Sequence, residues 1–258
     1  MSKTRLARPS SIEIIPVIGL REISKGEDVP EAILEACRKS GVSFRNGDVI
    51  VVTHKIISKA EGRVIRLEDI TPSEFARKAG RHIQKDPRQV EAILSESRRL
   101  VKMVRGLIIA ETRQGFVCAN AGVDQSNVEK GNLVLLPRMP DVSATKIRDK
   151  VMRKTGREVA VIISDTFGRP WREGQVDVAI GLAGIDPFSD YRGKKDQYGY
   201  ELKASVICVA DELASAAELC MNKLDRVPVA IIRGYGYTKK LDVSSRSLAR
   251  RPARDLFR

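Results

Sequence analysis

Short apolar runs, separated by helical or polar segments, recur along the 258 residues of this chain. The run over residues 12–20 predicts a first strand, and residues 46–54, 158–165 and 228–234 have the same character. Apolar residues at helical spacing between such runs, as in residues 30–41, predict helices. Because strands and helices alternate without a strict βαβ order, the sequence predicts an α+β fold with mixed and antiparallel sheets and flanking helices.

Local signals add detail to this pattern. Residues 58–63 (SKAEGR) predict a polar loop directly after the second strand. Thr71 and Glu74 have the spacing of a capping box, so a helix is expected to start there. Residues 87–104 predict a further helix, and Ser143 is expected to cap another.

The domain organisation is simple. We expect residues 1–11 to form an N-terminal extension and residues 12–258 to form one domain, with room for two structural subdomains. No stretch reaches the roughly 18 to 20 apolar residues that span a bilayer, and the N-terminus lacks the apolar core of a signal peptide. The sequence therefore predicts a soluble, cytoplasmic protein that does not contact a membrane.

The chain is strongly basic, since 46 Lys and Arg against 33 Asp and Glu give a formal net charge of +13. Such a charge favours anionic partners, including nucleic acid, phosphates and polycarboxylates. Only 5% of residues are aromatic, and no basic run is interleaved with aromatic residues as in single-strand binding surfaces. Nucleic acid is therefore not the expected partner, although a basic nucleic-acid-binding protein remains an alternative.

Cysteine and histidine are too sparse and scattered for a zinc site. The two histidines are His54 and His82, and no two cysteines have C-x-x-C spacing. All four cysteines have apolar or small neighbours, which predicts buried, reduced thiols; they are Cys37, Cys118, Cys208 and Cys220.

Two segments, ANAGVDQSN and ISDTFGRPWREG, each place a carboxylate in a polar loop that leaves an apolar strand. We expect Asp124 and Asp165 to be exposed at these strand ends, with the hydroxyl of Thr166 at the start of a loop over residues 166–175. Hard cations such as Mg²⁺ and Mn²⁺ prefer carboxylate and hydroxyl oxygens. The pattern predicts a metal site, but ordinary Asx-turn and capping residues would have the same pattern.

The standard phosphate-binding motifs are absent. The sequence has no G-x-x-x-x-G-K-[ST], no G-x-G-x-x-G after the first strand, and no kinase motif set. Four polar residues remain as phosphate or carboxylate ligands, although each taken alone fits an ordinary surface position better; they are Lys59, Asn127, Arg169 and Arg172.

Seven segments become more specific when they are taken in order: SKAEGR, FVCANAGVDQSN, LLP followed by PDVSA, SDTFGRPWREG, DYRGKKD, VADELA and PVAIIRG. This series resembles the coenzyme F420-0:L-glutamate ligase family, whose members use GTP to add γ-linked glutamate to a deazaflavin coenzyme. The likeness extends from residue 12 to residue 258.

The resemblance implies a GTP-dependent ligase that converts F420-0 to F420-1 and F420-2 through an acyl phosphate, with release of GDP and phosphate. Its partners would be GTP, L-glutamate and the deazaflavin precursor. The family also implies two divalent cations, Mn²⁺ or Mg²⁺, together with K⁺, and an intertwined homodimer.

Matched residue by residue, the resemblance assigns the first metal to Asp124 and Asp165. It assigns the second metal to Thr166, with a further ligand from the loop after the late helix. The implied GTP contacts are Arg21, Glu22, Ile23, Ser24, His54, Lys55, Lys59 and Asn127. No residue is singled out as a general base.

The chain departs from the family pattern in the loop MNKLD, residues 221–225, where many members have M-G-K or an acidic residue. Asn222 and Lys223 are therefore only lesser candidates for the second metal. Trp171 and Tyr191 are candidates for stacking on the deazaflavin ring. A ligase that uses the same nucleotide and metal with a different acceptor remains a further alternative.

Overall fold

The computed structural model describes residues 11–255. Of the N-terminal extension expected over residues 1–11, all but Ser11 lies outside the described residues. Within the described range, no helix is long and apolar enough to cross a membrane.

The centre of the molecule is a mixed sheet. Its strands are β1 (Glu13–Pro16), β2 (Val49–Thr53), β8 (Ala160–Arg169), β9 (Arg172–Ala183) and β12 (Val229–Arg233). They lie in the order β1-β12-β2-β8-β9. β2 and β8 are parallel, whereas the other neighbouring pairs are antiparallel. Together with the helices below, this sheet confirms the α+β prediction.

Helices cover both faces of this sheet because its strands are apolar on both sides. α1 (Val29–Lys39) and α5 (Pro140–Thr155) pack on one face, and α6 (Val209–Met221) packs on the other. Successive strand residues point to opposite faces. The even-numbered valine and isoleucine residues of β2 therefore pack with α1 and α5, and the odd-numbered ones pack with α6.

Residues 64–134, which lie between β2 and β8, form a second packing unit, the inserted unit. β3 (Val64–Arg66) pairs with β7 (Asn132–Val134) where the chain enters and leaves the unit. The rest consists of α3 (Glu74–Ile83), α4 (Pro87–Glu96) and an antiparallel sheet of β4 (Ser97–Val104), β5 (Leu107–Thr112) and β6 (Val117–Ala119). This unit has its own cluster of buried side chains, which includes Val90, Ile93 and Ile108.

A short helix and a small sheet add to these two units. α2 (His54–Ala60) follows β2 directly. β10 (Phe188–Asp190) and β11 (Val206–Cys208) form a two-stranded antiparallel sheet beside α6.

Two predicted helix caps are wrong. α3 is capped by Ser73 instead of Thr71, because Ser73 Oγ accepts a backbone N–H of the first turn at 3.2 Å. α5 begins at Pro140, where the missing N–H of proline costs no intrahelical hydrogen bond. Ser143 lies inside that first turn, and its hydroxyl donates to Glu61 at 2.9 Å.

Two predicted segments also differ in type. Residues 58–63, expected to be a loop, supply the last three residues of α2 and the turn after it. The helix expected over residues 87–104 ends at Glu96, and the chain continues as β4. Pairing of β4 with β5 overrides the local preference, and no local periodicity in the sequence reveals that contact.

Candidate functional site

The start of α2 lies beside Asp165 because β2 and β8 are parallel. Thr53 is the register partner of Ser164. The residues that follow them, His54 and Asp165, therefore lie next to each other. The His54 side chain is only 1% exposed, and its Nε2 lies 3.2 Å from Asp165 Oδ1. This nitrogen has no hydrogen bond of acceptable geometry to any described residue, whereas Nδ1 lies 3.3 Å from Ser58 Oγ. The imidazole is thus packed against a carboxylate, and its Nε2 makes no hydrogen bond to the described residues.

The prediction that Asp165 stands at a strand end is wrong. β8 continues to Arg169, so much of the loop expected over residues 166–175 belongs to the β8–β9 hairpin. The register shifts between Ile163 and Ser164, which changes the direction of the side chains that follow. The side chain of Asp165 is 13% exposed, and its Oδ1 accepts the backbone N–H of Thr166 at 2.8 Å.

Asp124 forms a second cluster with Lys55. Lys55 Nζ donates to Asp124 Oδ2 at 2.6 Å and also contacts the hydroxyl of Ser126. Ser126 Oγ donates to the same carboxylate oxygen at 2.5 Å, and the backbone N–H groups of Gln125 and Ser126 donate to Oδ1. Burial alone would raise the pKa of Asp124, but these hydrogen bonds and the lysine charge lower it to about 2. The carboxylate is therefore held as an anion.

Thr166 belongs to a third cluster, which contains a residue that the sequence did not single out. Asp177 lies within β9 and is 3% exposed, although its strand is otherwise mostly apolar. Its Oδ1 accepts the Thr166 hydroxyl at 2.6 Å, and its Oδ2 accepts the Ser164 hydroxyl at 2.9 Å. Lys223 Nζ donates to Thr166 Oγ1 at 2.5 Å. A carboxylate in the middle of an apolar strand was the only available signal for Asp177.

α2 also contacts the segment expected to bind GTP after the first strand. Lys59 pairs with Glu22, and the backbone N–H of Gly26 donates to Ala60 O at 2.8 Å. Lys55 and Lys59 are four residues apart, which places them on the same face of α2 about one turn apart. The helix therefore links the segment around Glu22 to the loop that carries Asp124.

The remaining GTP candidates in these two segments differ in exposure. Arg21 and Ser24 are exposed, and Arg21 forms an ion pair with Glu27. The Ile23 side chain is buried, so only its backbone remains for polar contact. Asn127 is exposed in the loop after Asp124, with a left-handed φ of 58°.

Other predicted residues lie apart from these clusters. Arg169 and Arg172 flank the tip of the β8–β9 hairpin, roughly 13 Å along the strand from Asp165. Trp171 lies at that tip and is 85% exposed. Asn222 donates to Asp225, and Tyr191 lies in the loop after β10 with Lys194 Nζ 5.0 Å from its ring centroid.

The cysteines are unsuited to nucleophilic chemistry. Cys37 and Cys118 are buried as expected, whereas Cys208 and Cys220 are half-buried, and all four are free thiols. Burial, assisted by the carboxylate of Asp165, raises the pKa of Cys118 to about 12. This thiol stays protonated at neutral pH.

The donor chemistry at Asp124 and Asp165 fits a hard cation. Both residues offer carboxylate oxygens near α2, and Mg²⁺ is commonly held by one or two carboxylates together with substrate phosphates. Thr166 offers a hydroxyl, which is already in contact with a lysine ammonium. Among residues 11–255, no group of three or more His, Cys, Asp or Glu side chains forms a metal cage. An ion here would therefore depend on ligands from a bound substrate.

The fold and the site define an α+β protein in which lysines, carboxylates and hydroxyls converge on one short helix between two packing units. A family model described as F420-0:Gamma-glutamyl ligase matches residues 17–234. The chain belongs to this family of ligases, which confirms the resemblance given by the seven sequence segments.

Several curated archaeal proteins are similar to nearly the whole chain. The Coenzyme F420:L-glutamate ligase of Methanothermobacter thermautotrophicus is 47% identical over 249 residues, which cover 96% of this chain and 99% of the relative. The enzyme of the same name from Methanopyrus kandleri is 42% identical over 254 residues, with 96% and 98% coverage. The one from Methanocaldococcus jannaschii is 46% identical over 220 residues, with 83% and 86% coverage.

Proposed function

We propose that this protein is a coenzyme F420:L-glutamate ligase that uses GTP to add γ-linked L-glutamate to the deazaflavin precursor. The name shared by the similar archaeal proteins supports the acceptor and the amino acid. The convergence of Lys55, Lys59, Asp124 and Asp165 on α2 supports a phosphate-activated reaction, because it pairs fixed positive charges with oxygen ligands for a cation.

The chemistry requires activation because a carboxylate oxygen is a poor leaving group. In the proposed reaction, a carboxylate oxygen of the acceptor attacks the γ-phosphorus of GTP, and the bond to the β-phosphate oxygen breaks to release GDP. The amine of glutamate then attacks the acyl carbon of the acyl phosphate. The amide C–N bond forms, the C–O bond to phosphate breaks, and the amine proton leaves to a base.

The chain's own residues have distinct roles in this proposal. Lys55 and Lys59 lie on one face of α2, where their ammonium groups would contact the phosphates and orient them. Asp124 and Asp165 would hold a divalent cation, Mn²⁺ or Mg²⁺, which when bound neutralises charge on the phosphates. His54 packs against Asp165 and limits the rotation of its carboxylate.

The proposal also includes a homodimer and a role for K⁺, as the family resemblance implies. An exposed strand edge favours the dimer, because β4 is an outer strand of its sheet and exposes Met103 and Val104. Sedimentation equilibrium should give twice the mass of the 28.6 kDa chain. A purely monomeric protein at micromolar concentration would contradict the dimer, and equal rates in Na⁺ and K⁺ would contradict the role of potassium.

The direct test is to incubate the purified protein with GTP, Mn²⁺, L-glutamate and F420-0, and to follow the coenzyme by mass spectrometry. We expect successive additions of one glutamyl residue, with one GDP released per addition. Reactions without GTP, or with D-glutamate, are the controls. Absence of any glutamylated product would refute this acceptor. GDP release with another carboxylate would favour the alternative of a ligase with a different acceptor.

A further inference from the structure

The polar groups around Thr166 are already satisfied by one another. The Thr166 hydroxyl donates its proton to Asp177 Oδ1 at 2.6 Å, and the Ser164 hydroxyl donates to Asp177 Oδ2 at 2.9 Å. Lys223 Nζ completes the set by donating to Thr166 Oγ1 at 2.5 Å. An ammonium group, with three donors and no acceptor, matches a cluster that presents only oxygen lone pairs to it.

A divalent cation has fewer ligands here than beside Asp124. Mg²⁺ takes about six oxygen ligands, and substrate phosphates and water can supply some of them. Two carboxylates, Asp124 and Asp165, lie at the position assigned to the first ion, although both oxygens of Asp124 already accept hydrogen bonds. At Thr166 the protein offers a neutral hydroxyl and a single carboxylate, Asp177, whose two oxygens accept the hydroxyls of Thr166 and Ser164.

The charges of the cluster favour the lysine. Asp177 is 3% exposed, and a buried carboxylate requires a nearby positive charge. Lys223 Nζ lies 3.6 Å from Asp177 Oδ1 and 3.4 Å from Glu218 Oε1, so carboxylates on β9 and α6 hold it from two sides. The Lys223 side chain is 54% exposed, so its ammonium can contact both this cluster and a bound phosphate.

We propose that the ammonium of Lys223 takes the place of the second divalent cation at Thr166. The protein then binds one divalent cation, at Asp124 and Asp165, together with its nucleotide. This inference rests on the proposed GTP-dependent function. It differs from the two-ion site that the family resemblance implies, because Lys223 Nζ already donates to Thr166 Oγ1, the hydroxyl that the resemblance assigns to the second ion.

The number of ions can be read without measuring turnover. The full-length protein is saturated with Mn²⁺ and a non-hydrolysable GTP analogue, and its Mn²⁺ electron paramagnetic resonance spectrum is recorded. Since Asp165 and Thr166 are adjacent, ions at both positions would lie roughly 4 Å apart and would be magnetically coupled. We expect the spectrum of an isolated ion for the natural protein and that of a coupled pair for Lys223→Gln, which replaces the ammonium with an oxygen donor.

Two variants control this measurement. Lys223→Arg keeps the positive charge and should retain the isolated-ion spectrum. Lys240→Gln removes another half-exposed lysine, which faces Asp186 at 3.8 Å, and should also leave it unchanged. A coupled pair in the natural protein would overturn the inference while leaving the proposed ligase intact. An isolated ion in Lys223→Gln would also overturn it, and no bound Mn²⁺ in any variant would contradict the proposed metal site as well.

Discussion

Gly122 provides a quantitative test of how the loop carrying Asp124 is held. Its φ is +72°, and a Cβ at this position would lie 2.5 Å from Leu136 Cγ, inside the buried core. Gly122→Ala therefore combines a left-handed conformation, which costs roughly 1–2 kcal/mol, with overpacking, which costs roughly 1–3 kcal/mol. The total of roughly 2–5 kcal/mol should lower Tm by about 4–10 °C in a protein of this length.

Gly131→Ala is a matched control in the same inserted unit. Its φ is +90°, but no atom lies within 4 Å of the added Cβ. This variant should therefore have only the energetic cost of the left-handed conformation, and its Tm should fall by about 2–4 °C. Calorimetry on the two variants under one buffer condition separates the contributions. Equal decreases in Tm would refute the reasoning, since they would show that the contact with Leu136 costs nothing.

Three further predictions concern the site and its support. The pKa of Asp124 is lowered to about 2 in the folded protein, so its contribution to the free energy of unfolding should be complete above roughly pH 4 and lost as the pH falls towards 2. Urea unfolding of the natural protein and of Asp124→Asn measures this, because the difference between their unfolding free energies should shrink over that pH range. Asp165→Asn should abolish Mn²⁺-dependent GTP binding in calorimetric titrations without changing the circular dichroism spectrum, and unchanged affinity would mean that the metal ligand is misassigned. Arg63 and Glu96 pair at 2.5 Å with each side chain at most 11% exposed, so Glu96→Gln should destabilise by about 3 kcal/mol in denaturant unfolding, whereas a change below 1 kcal/mol would show that the pair is readily solvated.

Much of the architecture was predictable because it depends on local pattern. The strand over residues 228–234 and the helix around residues 30–41 were predicted correctly because their apolar spacing matches the faces that they bury. The strand over residues 97–104 was missed because β4 is stabilised by its pairing with β5, which no local period encodes. The segment after Asp165 was likewise predicted to be a loop, but much of it belongs to a hairpin because β8 pairs with β9.

The site was predicted in part for the same reason. Asp124, Asp165 and Thr166 stand in distinctive polar segments, and the structure sets each of them in a charged or polar cluster, but their role in metal binding stays a prediction. Asp177 was missed because a single acidic residue within a strand has no motif around it. The partnership of Lys223 with Thr166 joins residues that are 57 positions apart, and only the fold brings them together.

The single parallel pair in the central sheet has a kinetic consequence. β2 and β8 are separated by about 110 residues along the chain, and closing a loop of that length costs roughly 4 kcal/mol in entropy. Pairing of β3 with β7 brings the two ends of the inserted unit together, so that a loop of only about 40 residues remains to be closed between β2 and β8. The entropic cost of closure then falls by roughly 1 kcal/mol. We therefore expect the inserted unit to fold early. The contact between His54 and Asp165, which depends on the pairing of β2 with β8, should form late in folding.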